Sequence, residues 1–234
     1  MTIIQEIAIL GRESINQIEA LQDFHVFTGY SYDRFRKMVE AGHVLGTVTN
    51  ARTQTNVQVT ELAETLLVYL DNDLPRVILY QAVSNFETFF FTFLSLLLTN
   101  NAHPLARNRQ VSVDEVLGHP TKDSLVSALI DRELHEVQYK NVQGWFAYLA
   151  RVMKIPDVDD AQIGRLAEAK ASRDVLAHNA GVANEIYRHK SGHLARAGVG
   201  EPLPVTRLYV YDTSDFLKDL ISRLTKGAVD RLDS

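Results

Sequence analysis

The chain of 234 residues contains no cysteine. That excludes disulfides, thiol catalysis and Cys-ligated zinc, and it suits a reducing cytoplasm. Proline is scarce, with six residues, and no low-complexity tract interrupts the chain, so most of it is expected to be ordered. A basic excess is missing: 24 Lys and Arg stand against 29 Asp and Glu, for a formal net charge of −5. A surface built for broad nucleic-acid binding is normally basic, so any RNA site must be local. Long uncharged apolar runs are missing too. The greasiest segment, Leu74 to Leu98, is interrupted by Arg76, Gln81, Ser84, Asn85 and Glu87. A membrane-spanning helix wants about 20 nearly uncharged apolar residues, so this segment reads as a buried core helix and not as a membrane anchor. Met1 to Leu10 holds Glu6 and no basic leader, so it does not read as a signal peptide. A cytoplasmic location is the expectation.

What is present is a helical pattern. Hydrophobic residues make up 46% of the chain, enough for a sizeable core. Ile3, Ile4, Ile7, Leu10, Ser14, Ile18 and Leu21 recur at mostly helical spacing, and Tyr32 to Glu40 forms a second short helical stretch. Gly42 to Asn56 is rich in Thr, Asn and Gly and reads as a loop or extended arm, the best candidate for a boundary. Residues 1–56 are thus expected as an N-terminal helical arm and 57–234 as the main helical domain. Val57 to Asp71 is helical. Asp73-Leu74-Pro75 reads as a cap with proline in the first turn of the apolar helix. Thr121 to Tyr139 and Val142 to Lys154 follow. Pro156 breaks the second of these, and Asp157 to Asp160 supply capping carboxylates for a helix from about Asp160 to about His178. Beyond Asn179 the chain is expected to be irregular, with Val205 to Tyr211 as a short strand or extended run and Thr213 to about Asp230 as a last amphipathic helix. The fold class is all-α.

Arg173-Asp174-Val175-Leu176-Ala177-His178 is the segment that can carry chemistry. Five residues along a helix place the two end side chains ~140° apart and ~7.5 Å along the axis, which permits both to flank one phosphate without requiring it. Histidine transfers protons near neutrality, and arginine grips two phosphate oxygens at any working pH. RNA carries its own nucleophile, the 2′-hydroxyl, so no metal is needed. One histidine is meagre for both acid and base roles, and a symmetric dimer supplies the second. The bare pattern is not specific. With 16 Arg and 8 His, chance supplies roughly half a match, and Arg188-His-Lys-Ser-Gly-His193 repeats the spacing. A surface Arg beside a helix-end His is the plain alternative.

The surroundings add to it. Glu168 to Tyr187 resembles the signature of the HEPN superfamily, particularly proteins grouped with RiboL-PSP-type ribonucleases, in which Arg, a polar residue, three further residues and His follow in order. Asp174 fills the polar slot, and Asn179, Gly181 and Tyr187 resemble the continuation. Ser84-Asn-Phe-Glu-Thr-Phe89, and Arg132 to Lys140 with Trp145-Phe146 after it, resemble other helices of the group, so the resemblance covers roughly Leu74 to Tyr211. It implies an antiparallel helical bundle, a homodimer and endonucleolytic RNA cleavage with neither cofactor nor metal. It implies His178 as the proton-transfer residue, Arg173 as the phosphate ligand, Asp174 as their orienting partner and Asn179 as a shaper of the pocket. Many such proteins serve toxin–antitoxin, phage-defence or RNA-processing roles, which makes an antitoxin or inhibitor protein a further expected partner.

Other residues carry weaker signals. Glu87 lies inside the apolar helix, where a carboxylate is usually paired; it is a candidate anchor for Arg173, or else an ordinary structural pair. Tyr187 is a candidate base-stacking residue or a packing residue. Arg188, His189, Lys190, His193 and Arg196 form a small basic run with the right sign for a phosphate backbone, or a solvated loop. His103, His119 and His135 have no partner at a trustworthy metal-ligand spacing, and His189 and His193 lack the Glu of a helical zinc motif. The phenylalanines from Phe86 to Phe93 read as core or dimer contacts rather than a stacking platform. The rival readings are a catalytically inactive HEPN-like module that binds RNA, a nucleotide or a partner protein, and a structural helical adaptor.

Overall fold

Thr2 caps the first helix reciprocally: its hydroxyl accepts from the Gln5 N–H at 3.3 Å while its own N–H donates to Gln5 Oε1 at 3.0 Å. In the computed structural model, which describes residues 1–105, 110–154 and 158–233, α1 then runs unbroken over Ile3–Glu40. The two helical stretches expected here are one. No residue between them breaks a helix, and the apolar period fades only because Phe24, Phe27 and Tyr30 are exposed. Ile7, Gly11, Ser14 and Ile18 form the buried stripe.

The polar segment after α1 is a small antiparallel hairpin, β1 (Thr47–Thr49) and β2 (Asn56–Gln58), with Val48 opposite Val57. Helix α2 (Val59–Val68) follows, and Val59 and Ala63 pack on Val39 in a minor cluster. A boundary at residue 56 therefore does not separate two cores. Ile7 and Ile18 belong to the main core, and the minor cluster bridges the expected division.

Asp73-Leu74-Pro75 does not open a new helix either. α2 passes through a π-turn (Tyr69–Asp73) directly into α3 (Leu74–Asn100), and Asp73 is itself helical with no side-chain cap. Pro75 lacks an N–H and crowds the carbonyl four residues back; the wider turn, in which Leu74 N–H reaches Tyr69 O, relieves that conflict. The combined helix Val59–Asn100 is long and apolar enough to cross a membrane by length and composition, and half of its most apolar window is buried inside the molecule.

Helix α3 forms the centre. Ile78, Leu79, Phe86, Phe90 and Leu94 are among its fully buried residues, and each such side chain contributes about 1.5–3 kcal/mol by leaving water. Around it pack α1, α5 (Lys122–Gln138), α6 (Val142–Val152), α7 (Asp160–His178) and α9 (Arg207–Leu232). Phe90 stacks on Trp145 at 5.6 Å and Phe91 meets the same indole edge-on at 4.9 Å, so the phenylalanine run serves the core. A short α4 (Val113–Gly118) precedes α5. Pro156 and Asp157 lie outside the described residues.

Two expectations for the last third need correction. The stretch after Asn179 contains α8 (Glu185–Ser191), capped by Asn184, and a 3-10 turn (Gly192–Leu194). Val205 to Tyr211 is not a strand, because Thr206 caps α9 through the Tyr209 N–H at 3.2 Å and the helix begins at Arg207. The apparent alternation there was the start of a helical stripe that continues through Val210, Thr213, Ser214 and Leu217. With a single three-residue hairpin as its sheet, the described chain is all-α.

The α1–α9 packing yields two tests. A Cβ at Gly11 would fall 2.8 Å from Thr225 Cγ2 and closer still to its hydroxyl. Gly11→Ala is expected to lower stability in a urea melt, since overpacking costs about 1–3 kcal/mol and helix propensity returns at most ~1. The imidazole of His25, 2% exposed, stacks on Tyr211 at 5.2 Å, and neither of its nitrogens has a partner among the described residues. Burial first, and then the nearby Arg207 charge, hold its pKa below the usual 6.5. The unfolded chain therefore binds a proton more readily than the folded one as pH falls below 6.5. The melting temperature should drop from about pH 6.5 towards pH 5. Asp33 and Asp215, whose pKa values lie below 3.8, respond only at lower pH. His25→Phe should flatten the drop; an unchanged pH profile in that variant would refute this assignment.

Candidate active site

Helix α7 is pinned at both ends. Asp159 Oδ1 accepts from Gln162 N–H at 2.7 Å, and the Gln162 side chain returns a bond to the Asp159 N–H at 3.2 Å. At the other end the N–H groups of Asn179 and Gly181 both reach Val175 O, at 2.9 and 3.1 Å. Gly181 turns the chain with φ +77°, and the guanidinium of Arg76 lies 3.7 Å from where a Cβ would stand. The Asn179 side-chain amide donates to Val182 O, so it closes this turn.

Arg173 points from α7 towards α3. Its Nη2 donates to Glu87 Oε2, its Nε lies 3.4 Å from Asp174 Oδ1, and its guanidinium sits 5.9 Å from the centre of the Tyr80 ring. Glu87 therefore anchors Arg173. The same two carboxylates hold further cations: Lys170 Nζ is 2.8 Å from Glu87 and 3.7 Å from Asp174, and Lys190 of α8 is 3.3 Å from Asp174. Three cations around two carboxylates leave this patch positive on an acidic chain.

His178 is exposed and has no hydrogen-bond partner among the described residues. By helical geometry it stands ~140° from Arg173, and Lys170, Asp174 and Ala177 fall in the sector between them. Ala177 and His178 are exposed there, Lys170 and Asp174 are half-buried and Arg173 is 13% exposed at the edge, whereas Glu168, Ser172 and Val175 on the far side are buried. The two side chains thus flank one partly exposed stripe of α7 from opposite sides.

Behind the stripe lies a network with no counterpart in the sequence reading. Glu168, 4% exposed, accepts from Ser172 Oγ at 2.7 Å, Arg196 Nε at 3.0 Å, Tyr187 OH at 3.2 Å and Tyr209 OH at 2.6 Å. The Arg196 guanidinium lies 3.4 Å over the Tyr209 ring. Burial first, then the Glu168 charge, push the Tyr209 hydroxyl far above the usual phenol range, and burial likewise raises Tyr187. Tyr187 is consequently a core residue and has no free ring face for a base, which corrects its assignment to RNA binding. Arg196 is likewise withdrawn from the basic run. The available signal was that Glu168 sits four residues before Ser172 and seven before Val175, on the inner row of α7.

Arg188, His189 and Lys190 are exposed on α8, and His193 is exposed in the 3-10 turn. Two depressions open on the same side of the molecule, and Gln138 and Lys170 line both. One, about 540 Å³, is walled by Glu87, Thr88 and Trp145; the other, about 680 Å³, lies between the α5–α6 corner, α7 and α8. Among the described residues no three His, Asp or Glu side chains converge as a metal site. The chain matches no family model, no curated protein and no solved structure.

Proposed function

We propose that the chain is a metal-independent endoribonuclease of the HEPN type, cytoplasmic and active as a homodimer. The observation that carries this is the placement of Arg173 and His178 on either flank of one partly exposed stripe, with Asp174 between them. In this mechanism the 2′-oxygen of a nucleotide attacks the adjacent phosphorus and the bond from phosphorus to the 5′-oxygen breaks. His178 takes the 2′-hydroxyl proton, the partner's His178 gives one to the leaving 5′-oxygen, and Arg173 neutralises charge on the phosphorane. Asp174 and Glu87 fix the guanidinium beforehand, which lowers the cost of ordering it. A defence, toxin or stress role, with an inhibitor protein as partner, belongs to the same proposal.

A second reading has one observation in its favour. Arg173 already has its charge matched by Glu87 and Asp174, as in a HEPN-like module that binds RNA, a nucleotide or a protein without cutting. Purified chain incubated with single-stranded RNA in EDTA separates the two. The nuclease reading expects fragments ending in a 2′,3′-cyclic phosphate, lost in Arg173→Ala. Intact RNA bound to the protein selects the second reading.

A further inference from the structure

The larger depression carries positive charge that the internal ion pairs do not consume. Lys140 on the α5–α6 corner, with His189 and His193 opposite, has no ion-pair partner among the described residues, and Lys190 is held only by its contact of 3.3 Å to Asp174. Asp160 is the acidic residue on this lining; Lys170, already matched by Glu87, closes the end nearest Arg173. Two buried polar groups on the two linings lack partners among the described residues: the hydroxyl of Ser191, 4% exposed, and the indole N–H of Trp145. At the rim Tyr139 is 81% exposed, beside Lys140, with His135 edge-on to its ring at 5.0 Å. An aromatic ring held on a helix end with an open face, next to an unmatched lysine, is the pairing that a flexible strand with splayed bases uses: the lysine meets phosphate and the ring meets a base. Duplex RNA offers no such free base, and a net charge of −5 disfavours gripping two phosphate backbones at once.

We propose that this groove is the track for a single RNA strand leaving the Arg173–His178 stripe. Lys140, Lys190 and the two histidines contact its phosphates, and Tyr139 stacks on one base. Lys170 and Lys190 link track and stripe, since each lines the groove and also touches the carboxylates that hold Arg173. This rests on the nuclease reading and adds the path of the strand away from that stripe and the residues that hold it.

Fluorescence anisotropy on the full chain carrying His178→Ala, in EDTA, tests it with a short labelled RNA and with the same strand annealed to its complement. The single strand should bind more tightly than the duplex. Adding Tyr139→Ala should weaken that binding about fivefold or more, while Tyr139→Phe should leave it near the parent. Lys140→Gln should weaken it and reduce the slope of log affinity against log salt by about 0.7, one phosphate on a single strand. These side chains are exposed, and equal melting temperatures confirm that the variants fold. Unchanged affinity and salt slope in Tyr139→Ala and Lys140→Gln, tighter binding of the duplex, or no RNA binding by the parent would each overturn the track. If the wild-type chain still cuts RNA in those cases, the nuclease reading survives. If the wild type does not cut but the groove variants lose RNA, the track stands and cleavage falls.

Discussion

His178→Ala is expected to lower the rate of RNA cleavage in EDTA by about 10²–10⁴-fold, the usual span for loss of a general acid–base group. The same variant should unfold at nearly the same urea concentration as the wild type. His178 is exposed and has no hydrogen-bond partner among the described residues, so truncating it removes no packing and strands no polar group. A mere helix-end histidine would give a different result. Its truncation would leave cleavage unaffected, and the few tenths of a kcal/mol that a charged residue in the last turn of α7 gains from the helix dipole are at stake in both readings. Cutting that persists at the wild-type rate in His178→Ala removes the mechanism, whatever else binds the stripe.

Glu168→Ala should have the opposite signature. Removing this carboxylate leaves Arg196 beside the Tyr209 ring without its counter-charge and leaves the Ser172, Tyr187 and Tyr209 hydroxyls without their acceptor. Breaking one side of a buried pair costs about 3–5 kcal/mol, and the lower figure applies because Arg196 still reaches solvent. The urea midpoint should fall with little change in slope, and Glu168→Gln, which keeps the shape and one acceptor, should fall less. A Glu168→Ala variant as stable as the wild type would mean that the network is ornamental. The contrast is informative because Glu168 and His178 lie on one helix, the first buried and the second exposed. The inner residue holds α7 to α8, the 195–206 segment and α9, while the outer one faces the stripe.

Much of this site was legible locally. Helix α7 was expected from about Asp160 to about His178 and spans those residues, since Asp159 and Gln162 make a local cap and the turn at Asn179–Gly181 ends it. Glu87 could be singled out because a carboxylate among phenylalanines needs a cation, and the structure supplies Arg173 and Lys170. Tyr187 and Arg196 were misplaced for the converse reason. Their chain neighbours are polar or glycine-rich, and only α7 and α9, distant in sequence, enclose them. Pro75 misled in the same manner. Proline at a helix start and proline behind a π-turn look alike in sequence, and the choice falls to the packing of the continuous α2–α3 rod.

The sequence by itself determined the helical class and most helix spans, and it offered Arg173 to His178 as a candidate segment for handling a phosphate. Those properties follow from spacings of three to five residues and from capping groups within one turn. Tertiary structure alone decided which polar side chains turn inward as a network and which line an open groove. A side chain's burial is set by whatever packs over it, and for α7 those covers come from α3, α8 and α9, brought together only when the chain folds.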